Sequence, residues 1–303
     1  MGYYVSDRQV LASAMERSLY RPLRIDIDGC KRTDEILDPG HPLYQSLCNV
    51  CTLENTTDHP VTYPVIPTGC MVLLFRKRGS RQESWLCGPP DEIVKVILAP
   101  GDQMLVLEFM PGSNTAFLNC DVASLTNRCV AIEDTVRNGS RLQKIAERDI
   151  PVNLKALLMS RVLRVESLER ESDYLIHFCA EEILRSGGAI KVGELAAKAG
   201  FTERYISQIF GRAIGLSPKT YSEIIRLQTS LKTVLGEREA QHEEPTKKSL
   251  LEIAVESGYF DHAHMNRAYK RFLHCSSGAL RRKGLAAIDL NGVRDFLDEG
   301  KED

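Results

Sequence analysis

Two segments of the chain, 195–201 and 253–259, repeat one pattern at an offset of 58 residues. The first reads LAAKAGF and the second IAVESGY, so each has alanine in second place and glycine in sixth place. Alanine lets two helices cross closely, and glycine adopts the positive φ that most side chains avoid. The repeat therefore predicts two copies of one unit, each a helix, a glycine turn and a second helix.

The second helix of each copy has one apolar face and one polar face. The apolar positions are Ile206, Ile209 and Phe210 in the first copy and, after one inserted residue, Met265, Ala268 and Tyr269 in the second. The polar faces carry Glu203, Arg204, Ser207 and Gln208, and then His262, Ala263, Asn266 and Arg267. In a DNA major groove, Arg recognises guanine, Asn or Gln recognises adenine, and Ser recognises either. A single copy is equally consistent with a solvated helical hairpin, but two copies in register favour DNA binding.

A long helix is expected between the two copies. Ser217 supplies a capping oxygen and Pro218 suits the first helical turn. The helix that follows has an apolar face able to pack against both units and to fix their separation. Two recognition helices about 34 Å apart would enter successive major grooves on one side of the duplex.

These stretches resemble the DNA-binding domain of the AraC/XylS family of bacterial transcription regulators. The matching segments are ELAAKAGFTERYISQIFGRAIGLSPKTYSEIIRLQ and LEIAVESGYFDHAHMNRAYKRF. The resemblance implies two recognition helices in adjacent major grooves of double-stranded DNA and, in most members, activation through contact with RNA polymerase. It places Arg204, Ser207, Gln208, His262, Asn266 and Arg267 at base-reading positions. It places Thr202, Lys219, Lys270 and Arg271 at phosphate contacts, which give affinity and register without reading sequence.

The chain departs from the family pattern at two places. Residues 236–248 (GEREAQHEEPTKK) form a longer connection than usual before the second unit, which we interpret as a charged surface loop, with a protein contact as the alternative. The family commonly closes the second unit with Gly-x-Ser-Pro-x-x-Tyr-Arg, whereas residues 274–281 here read HCSSGALR. The packing after Phe272 is therefore less firmly predicted.

The first 150 residues have a different pattern, with short β-type runs at 71–75, 93–98 and 104–109 separated by Gly- and Pro-containing turns. We expect an α+β protein, with an antiparallel β-barrel followed by an all-α domain that holds two helix-turn-helix units. The predicted divisions are residues 1–150, a linker helix at 151–171, the DNA-binding domain at 172–284 and an acidic tail at 285–303. Residues 172–284 carry 17 basic and 13 acidic side chains, an excess too small to establish nucleic-acid binding without the motif.

Residues 65–117 resemble the cupin-like sensor and dimerisation domain of one branch of AraC-like regulators. The resemblance allows a small-molecule effector and a homodimer, without identifying the ligand. Metal-binding cupins use a clustered His-x-His with Glu, but the region before residue 150 has only His41 and His59. We therefore expect no cofactor and no metal site.

The nine cysteines are odd in number and widely spaced, which fits reduced thiols in a cytoplasmic protein. Cys48-x-x-Cys51 is the one close pair. Ordinary buried cysteines are the favoured interpretation, because neither four zinc ligands nor a helix start that activates a thiol is evident. A thiol redox sensor and a metal site are the alternatives.

The chain is 43% hydrophobic, has a net charge of −2 and contains no long apolar run, so neither membrane spanning nor export is supported. We interpret it as a cytoplasmic, non-enzymatic DNA-binding transcription regulator, an activator, controlled through its N-terminal domain. One alternative is a cysteine methyl-acceptor DNA-repair protein, but its Pro-Cys-His-Arg motif is missing. Another is an effector-independent regulator whose N-terminal domain only dimerises or captures a second regulator.

Overall fold

The fold is known from a computed structural model of the chain, which describes residues 20–113, 117–163, 171–236 and 248–298. The described part of the first 150 residues is mainly β-structure, and the part after residue 150 is mainly helical. The protein is therefore mixed α and β, with an N-terminal antiparallel sheet and a C-terminal helical region. No described helix is long and apolar enough to cross a membrane.

The strands alternate with tight turns, as the β-type runs predict. Their bounds are β1 (Cys30–Asp34), β2 (Leu47–Asn55), β3 (Val61–Val65), β4 (Val72–Arg78), β5 (Arg81–Cys87), β6 (Val94–Leu98), β7 (Gln103–Phe109) and β8 (Cys129–Ala131). The runs at 71–75, 93–98 and 104–109 correspond to β4, β6 and β7. Strands β1, β2, β3, β5 and β8 were not predicted.

The predicted barrel is wrong, because the sheet does not close in the described residues. Six strands form one sheet in the order β1-β2-β7-β4-β5-β8, and β3 pairs with β6 in a separate two-stranded ribbon. The far side of β6 is bound by residues near the C-terminus: Lys95 N donates to Arg294 O at 3.0 Å, and Phe296 N donates to Lys95 O at 2.7 Å. Pro64 in β3 has no N–H to donate, which limits further pairing on that strand.

Ten α-helices follow in the described part of the chain. They are α1 (Ile132–Thr135), α2 (Gly139–Ala146), α3 (Val152–Leu163), α4 (Glu171–Arg185), α5 (Val192–Ala199), α6 (Glu203–Ile214), α7 (Pro218–Leu235), α8 (Leu250–Glu256), α9 (His262–Leu273) and α10 (Ser277–Lys283). Helix α7 is the predicted long helix, and Ser217 Oγ accepts a hydrogen bond from Thr220 N at 3.0 Å. Helix α3 occupies part of the predicted linker helix, whose residues 164–170 lie outside the described residues.

The N-terminal and helical regions share one hydrophobic core. Buried side chains of the sheet and ribbon, such as Leu74 and Val96, belong to the same cluster as Ile224 of α7 and Tyr269 of α9. A second cluster lies on the other face of the sheet and includes Met159 of α3. Helix α3 thus packs with the N-terminal region, whereas α4 opens the helical region.

The predicted acidic tail is not a free tail over the residues that are described. Ile288, Val293, Phe296 and Leu297 are buried in the shared core. Lys95 Nζ also donates to Leu290 O at 3.0 Å. We name residues 288–298 the C-terminal strap, because they fasten the end of the chain to the β3–β6 ribbon. The buried apolar side chains lie between the acidic residues that led us to expect a tail. Residues 299–303 lie outside the described part.

Candidate nucleic-acid interface

The first repeat unit consists of α5, a turn at Gly200 and α6. Gly200 has φ of +76°, the left-handed conformation that the repeat predicts. Thr202 caps α6, with its side-chain oxygen accepting from Tyr205 N at 3.2 Å. The apolar side of α6 is buried at Ile206 and Phe210, so the helix is held to the core along one face.

The second unit consists of α8, a turn at Gly258 and α9. Gly258 has φ of +78°, matching the turn of the first unit. Asp261 caps α9 by accepting from His264 N at 2.6 Å. Met265 and Tyr269 are fully buried, in the places that the apolar pattern predicts. Each copy is therefore a helix, a glycine turn and a second helix.

The predicted base-reading residues of the first unit are all exposed. Arg204, Ser207 and Gln208 lie on the solvent side of α6. Tyr205 is also exposed and stacks on Phe201, with 5.1 Å between ring centroids. The polar pattern of this face does not predict the aromatic pair, although Tyr205 lies directly beside Arg204 in the sequence. The exposed face of α6 therefore offers the Arg204 cation, the hydrogen-bonding side chains of Ser207 and Gln208, and an aromatic platform.

The predicted base-reading residues of the second unit do not share one environment. Arg267 is exposed, but His262 and Asn266 are partly buried. Asn266 Oδ1 accepts from Ser277 N at 3.0 Å and from Ser277 Oγ at 2.7 Å. His262 Nε2 lies 3.1 Å from both Ser277 Oγ and Asn266 Nδ2. These two side chains fasten α9 to the start of α10, so only Arg267 of the three is fully presented to solvent.

The four predicted phosphate contacts also differ in their surroundings. Lys219 in the first turn of α7 and Lys270 on α9 are exposed. Arg271 is exposed but forms an ion pair with Glu223 of α7. The Thr202 side chain is used as the helix cap. Lys219 and Lys270 therefore have the fewest competing contacts within the described residues.

Helices α6 and α9 both end against the same surface of the N-terminal region. At the end of α6, Gly215 O accepts a hydrogen bond from the Thr126 hydroxyl. At the end of α9, Ile93 N donates to Phe272 O at 2.8 Å, and His274 Nε2 lies 3.3 Å from Glu92 Oε2. The N-terminal half of each recognition helix is on the side away from this contact.

The two loops that make this contact are tied to each other. Asp91 N donates to Asn127 Oδ1 at 2.9 Å, and Asn127 Nδ2 donates to Asp91 Oδ1 at 2.7 Å. A disulfide joins Cys87 to Cys129 at the base of the loops. This pairing contradicts the expectation that the cysteines are all reduced, and it was not predictable because the two residues are 42 positions apart. We name residues 88–93 and 122–127 the docking loops.

The N-terminal region contains a cavity of about 130 Å³ between the sheet and the ribbon. Its walls are mainly apolar, with contributions from the sheet, the ribbon and the C-terminal strap: Leu53, Leu74, Val96, Met104, Val106 and Phe296. Arg32 is a partly buried cation of the wall and donates to Asp34 Oδ1 at 2.8 Å and to the Tyr63 hydroxyl at 3.1 Å. Burial raises the pKa of Tyr63 to about 12, so this hydroxyl is neutral at physiological pH.

The cysteine pair that the sequence singled out is divided between two environments. Cys51 is buried, burial raises its pKa to about 12, and its sulfur accepts a weak contact from Asn49 Nδ2 at 3.7 Å. Cys48 Sγ instead lies 3.6 Å from Cys70 Sγ. The sequence motif therefore identified one member of a thiol pair but not its neighbour.

Comparison with known proteins gives two family matches. Residues 195–283 match the family described as "Helix-turn-helix domain", and residues 35–131 match the one described as "Domain of unknown function (DUF6597)". The first match spans both repeat units. The second covers most of the described sheet.

Two curated relatives are similar to the chain over roughly the same length. The HTH-type transcriptional regulator MtrA of Neisseria gonorrhoeae is 28% identical over 93 residues, which are 31% of this chain and 28% of that protein. The HTH-type transcriptional regulator Rv1931c of Mycobacterium tuberculosis is 28% identical over 98 residues, which are 32% of this chain and 34% of that protein. The chain thus spans about a third of the length of these relatives.

Among solved structures, the 1.65 Å structure of ToxT from Vibrio cholerae aligns with 74% of this chain and 97% of its own, with 11% identity and a TM-score of 0.34. The helix-turn-helix match is the informative one, since residues 195–283 include the duplicated unit. Residues 195–283 are therefore similar to a helix-turn-helix domain, in the part of the chain where the repeat predicts one.

Proposed function

We propose that the protein is a sequence-specific DNA-binding transcription regulator that inserts α6 and α9 into adjacent major grooves. The observation that carries the proposal is the duplicated unit, in which both second helices bury one face and expose residues of the other. In helix-turn-helix proteins the N-terminal residues of the recognition helix contact the base edges. Both helices here are held at their C-terminal ends by the docking loops, which leaves those N-terminal residues available to DNA.

The residues have distinct roles in the proposal. Arg204, Ser207 and Gln208 read bases from α6, and Arg267 does so from α9. The resemblance assigns the same role to His262 and Asn266. Their bonds to Ser277 and to each other instead favour a positioning role, in which each side chain keeps no more than one donor for DNA. The phosphate contacts are Lys219 and Lys270, with Thr202 and Arg271 supporting them through the cap and the ion pair.

The N-terminal region is proposed to control this DNA binding. Its apolar cavity of about 130 Å³ is close in size to one that holds benzene, and the docking loops connect the same region to both recognition helices. An occupant that shifts the sheet relative to the ribbon therefore changes how the two helices are presented. The cupin-like ancestry of this region, activation through RNA polymerase and a homodimer belong to the proposal on the strength of the family resemblance.

The test begins with an operator selected from a random duplex library and compares Arg204→Ala with Arg137→Ala. Arg137 is an exposed arginine of the N-terminal region and serves as the charge-matched control. Loss of one bidentate base contact costs about 1–3 kcal/mol, so we expect Arg204→Ala to weaken operator binding by about 5- to 150-fold and to relax preference at one base step. Arg137→Ala should bind as the wild type does.

A phosphate contact behaves differently and is tested with Lys270→Ala against the exposed control Lys31→Ala. Lys270→Ala should weaken selected and random duplexes equally and lower the slope of log K against log salt concentration by about 0.9. If both Arg204→Ala and Lys270→Ala reduced binding to the two duplexes by the same factor, the assignment of base reading to α6 would be wrong.

A further inference from the structure

Three potential metal ligands meet on one side of the sheet, close to the helical region. They are Cys48 of β2, Cys70 before β4 and Glu108 of β7, and their ligand atoms all lie within 4.8 Å of one another. The three residues are far apart in sequence, and the pairing of β7 with both β2 and β4 brings them together. Cys70 and Glu108 are buried, and Cys48 is partly buried.

The spacing of the two sulfurs suits a tetrahedral ion. Zn²⁺ binds thiolate at about 2.3 Å, so two thiolates on one tetrahedral ion lie about 3.8 Å apart. The Cys48 and Cys70 sulfurs are 3.6 Å apart, at hydrogen-bonding distance and without a disulfide between them. Little movement is therefore needed for both to bind one cation.

The Glu108 carboxyl group is buried without a basic side chain bonded to it in the described residues. Its oxygens accept from the Thr68 hydroxyl at 2.6 Å and, weakly, from Asn49 Nδ2 at 3.5 Å. Burying a carboxylate is costly unless it is paired or binds a metal. A divalent cation between Glu108 and the two sulfurs would remove that cost.

A buried tyrosine of the helical region packs against the chain next to this cluster. The Tyr221 hydroxyl on α7 is fully buried and has no hydrogen-bond partner. Its ring lies against Gly69, next to Cys70 in the chain: a Cβ on Gly69 would be 2.6 Å from Tyr221 Cε2.

We propose that Cys48, Cys70 and Glu108 bind one Zn²⁺-like divalent cation, with a water in the fourth position that hydrogen-bonds to the Tyr221 hydroxyl. Both thiols lose a proton to solvent on binding, since the thiolate is the metal ligand. Two thiolates and one carboxylate leave the loaded site with one net negative charge.

The site revises the expectation of no metal and the role of the Cys48-x-x-Cys51 motif. Cys48 takes part, but its partner is Cys70, and Cys51 stays outside the cluster. The cavity wall also includes Cys48 and Glu108, which gives the bound water a place. Because Tyr221 belongs to the helix between the two repeat units, a cation here would lie where the sheet meets that helix.

The test uses the full-length protein, kept reduced, stripped with a chelator and titrated with Co²⁺ and then with Zn²⁺. We expect one Co²⁺ per chain, with a thiolate-to-metal charge-transfer band that Zn²⁺ abolishes. Cys48→Ser and Cys70→Ser should lose this band and weaken Co²⁺ binding by more than tenfold, because each removes a thiolate ligand. Cys51→Ser is the matched control, since it changes a buried cysteine on the same strand, and it should bind as the wild type does.

A measurement on the unmodified protein guards against variants that fail to fold. X-ray absorption by the Zn²⁺-loaded wild type should give two sulfur ligands at about 2.3 Å and two lighter ligands. A shell of lighter ligands only, or an equal loss of binding in Cys51→Ser and Cys48→Ser, would overturn the proposal. So would peptide mass spectrometry that finds a Cys48–Cys70 disulfide persisting under the reducing conditions of the titration.

Discussion

Gly215, which follows the last residue of α6, provides a sharp test of the contact between this helix and the docking loops. Its φ is +85°, and a Cβ there would lie 2.9 Å from Thr126 Oγ1, 3.1 Å from Val122 O and 3.2 Å from Pro89 Cγ. Gly200 has a similar φ of +76° but open space around the same position. Gly200→Ala is therefore a matched control that introduces the backbone strain without the contact.

The expected magnitudes follow from these two environments. A left-handed alanine costs about 1–2 kcal/mol, of which about 0.4–1 kcal/mol is returned because the unfolded chain is less flexible. Gly200→Ala should thus destabilise the protein by about 1 kcal/mol. Gly215→Ala should lose a further 1–3 kcal/mol or so, because its methyl group overpacks the docking loops.

Urea unfolding measures the difference, and limited proteolysis reports whether the docking loops become accessible. We expect a lower urea midpoint for Gly215→Ala than for Gly200→Ala, with faster cleavage near residues 122–127 in Gly215→Ala alone. Equal midpoints and equal cleavage would refute the claim that α6 is docked on the N-terminal region in solution.

Two further substitutions test contacts inside and between the regions. Asn266→Ala removes both bonds to Ser277 and should lower the free energy of unfolding by about 1–3 kcal/mol. It should weaken binding to selected and random duplexes alike. A stable variant with altered base preference would instead make Asn266 a base reader. The Gln228 side chain accepts from Leu23 N and donates to Pro67 O. Gln228→Leu leaves both backbone groups without this partner and should lower the free energy of unfolding, measured in urea, by about 2–5 kcal/mol. A change below about 0.5 kcal/mol would show that these two bonds are not formed.

The helical units were predictable because their determinants are local. The alanine and glycine of each copy fix a helix crossing and a turn within seven residues. The helical spacing of apolar residues after Gly200 and Gly258 fixes which face of the second helix is buried. The cap and first turn of α7 were equally visible at Ser217-Pro218. The bonds between Asn266 and Ser277 were not visible in the same way, since Ser277 follows a turn that departs from the family pattern.

The N-terminal region was only partly predictable because its arrangement depends on distant partners. Nothing in the sequence of β6 indicates that one edge pairs with β3 and the other with the C-terminal strap, so a closed barrel was expected. Strand β2 was missed because its polar and cysteine residues interrupt the apolar run. The Cys48 and Cys70 cluster likewise exists only after β4 and β7 have paired.

The most direct test of the account is a hydroxyl-radical footprint of the full-length protein on its selected operator. Two recognition helices in successive major grooves should protect two segments about 10 base pairs apart on one face of the duplex. The Arg204→Ala variant should lose protection in one segment more than in the other. A single protected segment, or two on opposite faces of the duplex, would contradict the central claim that both units read DNA together.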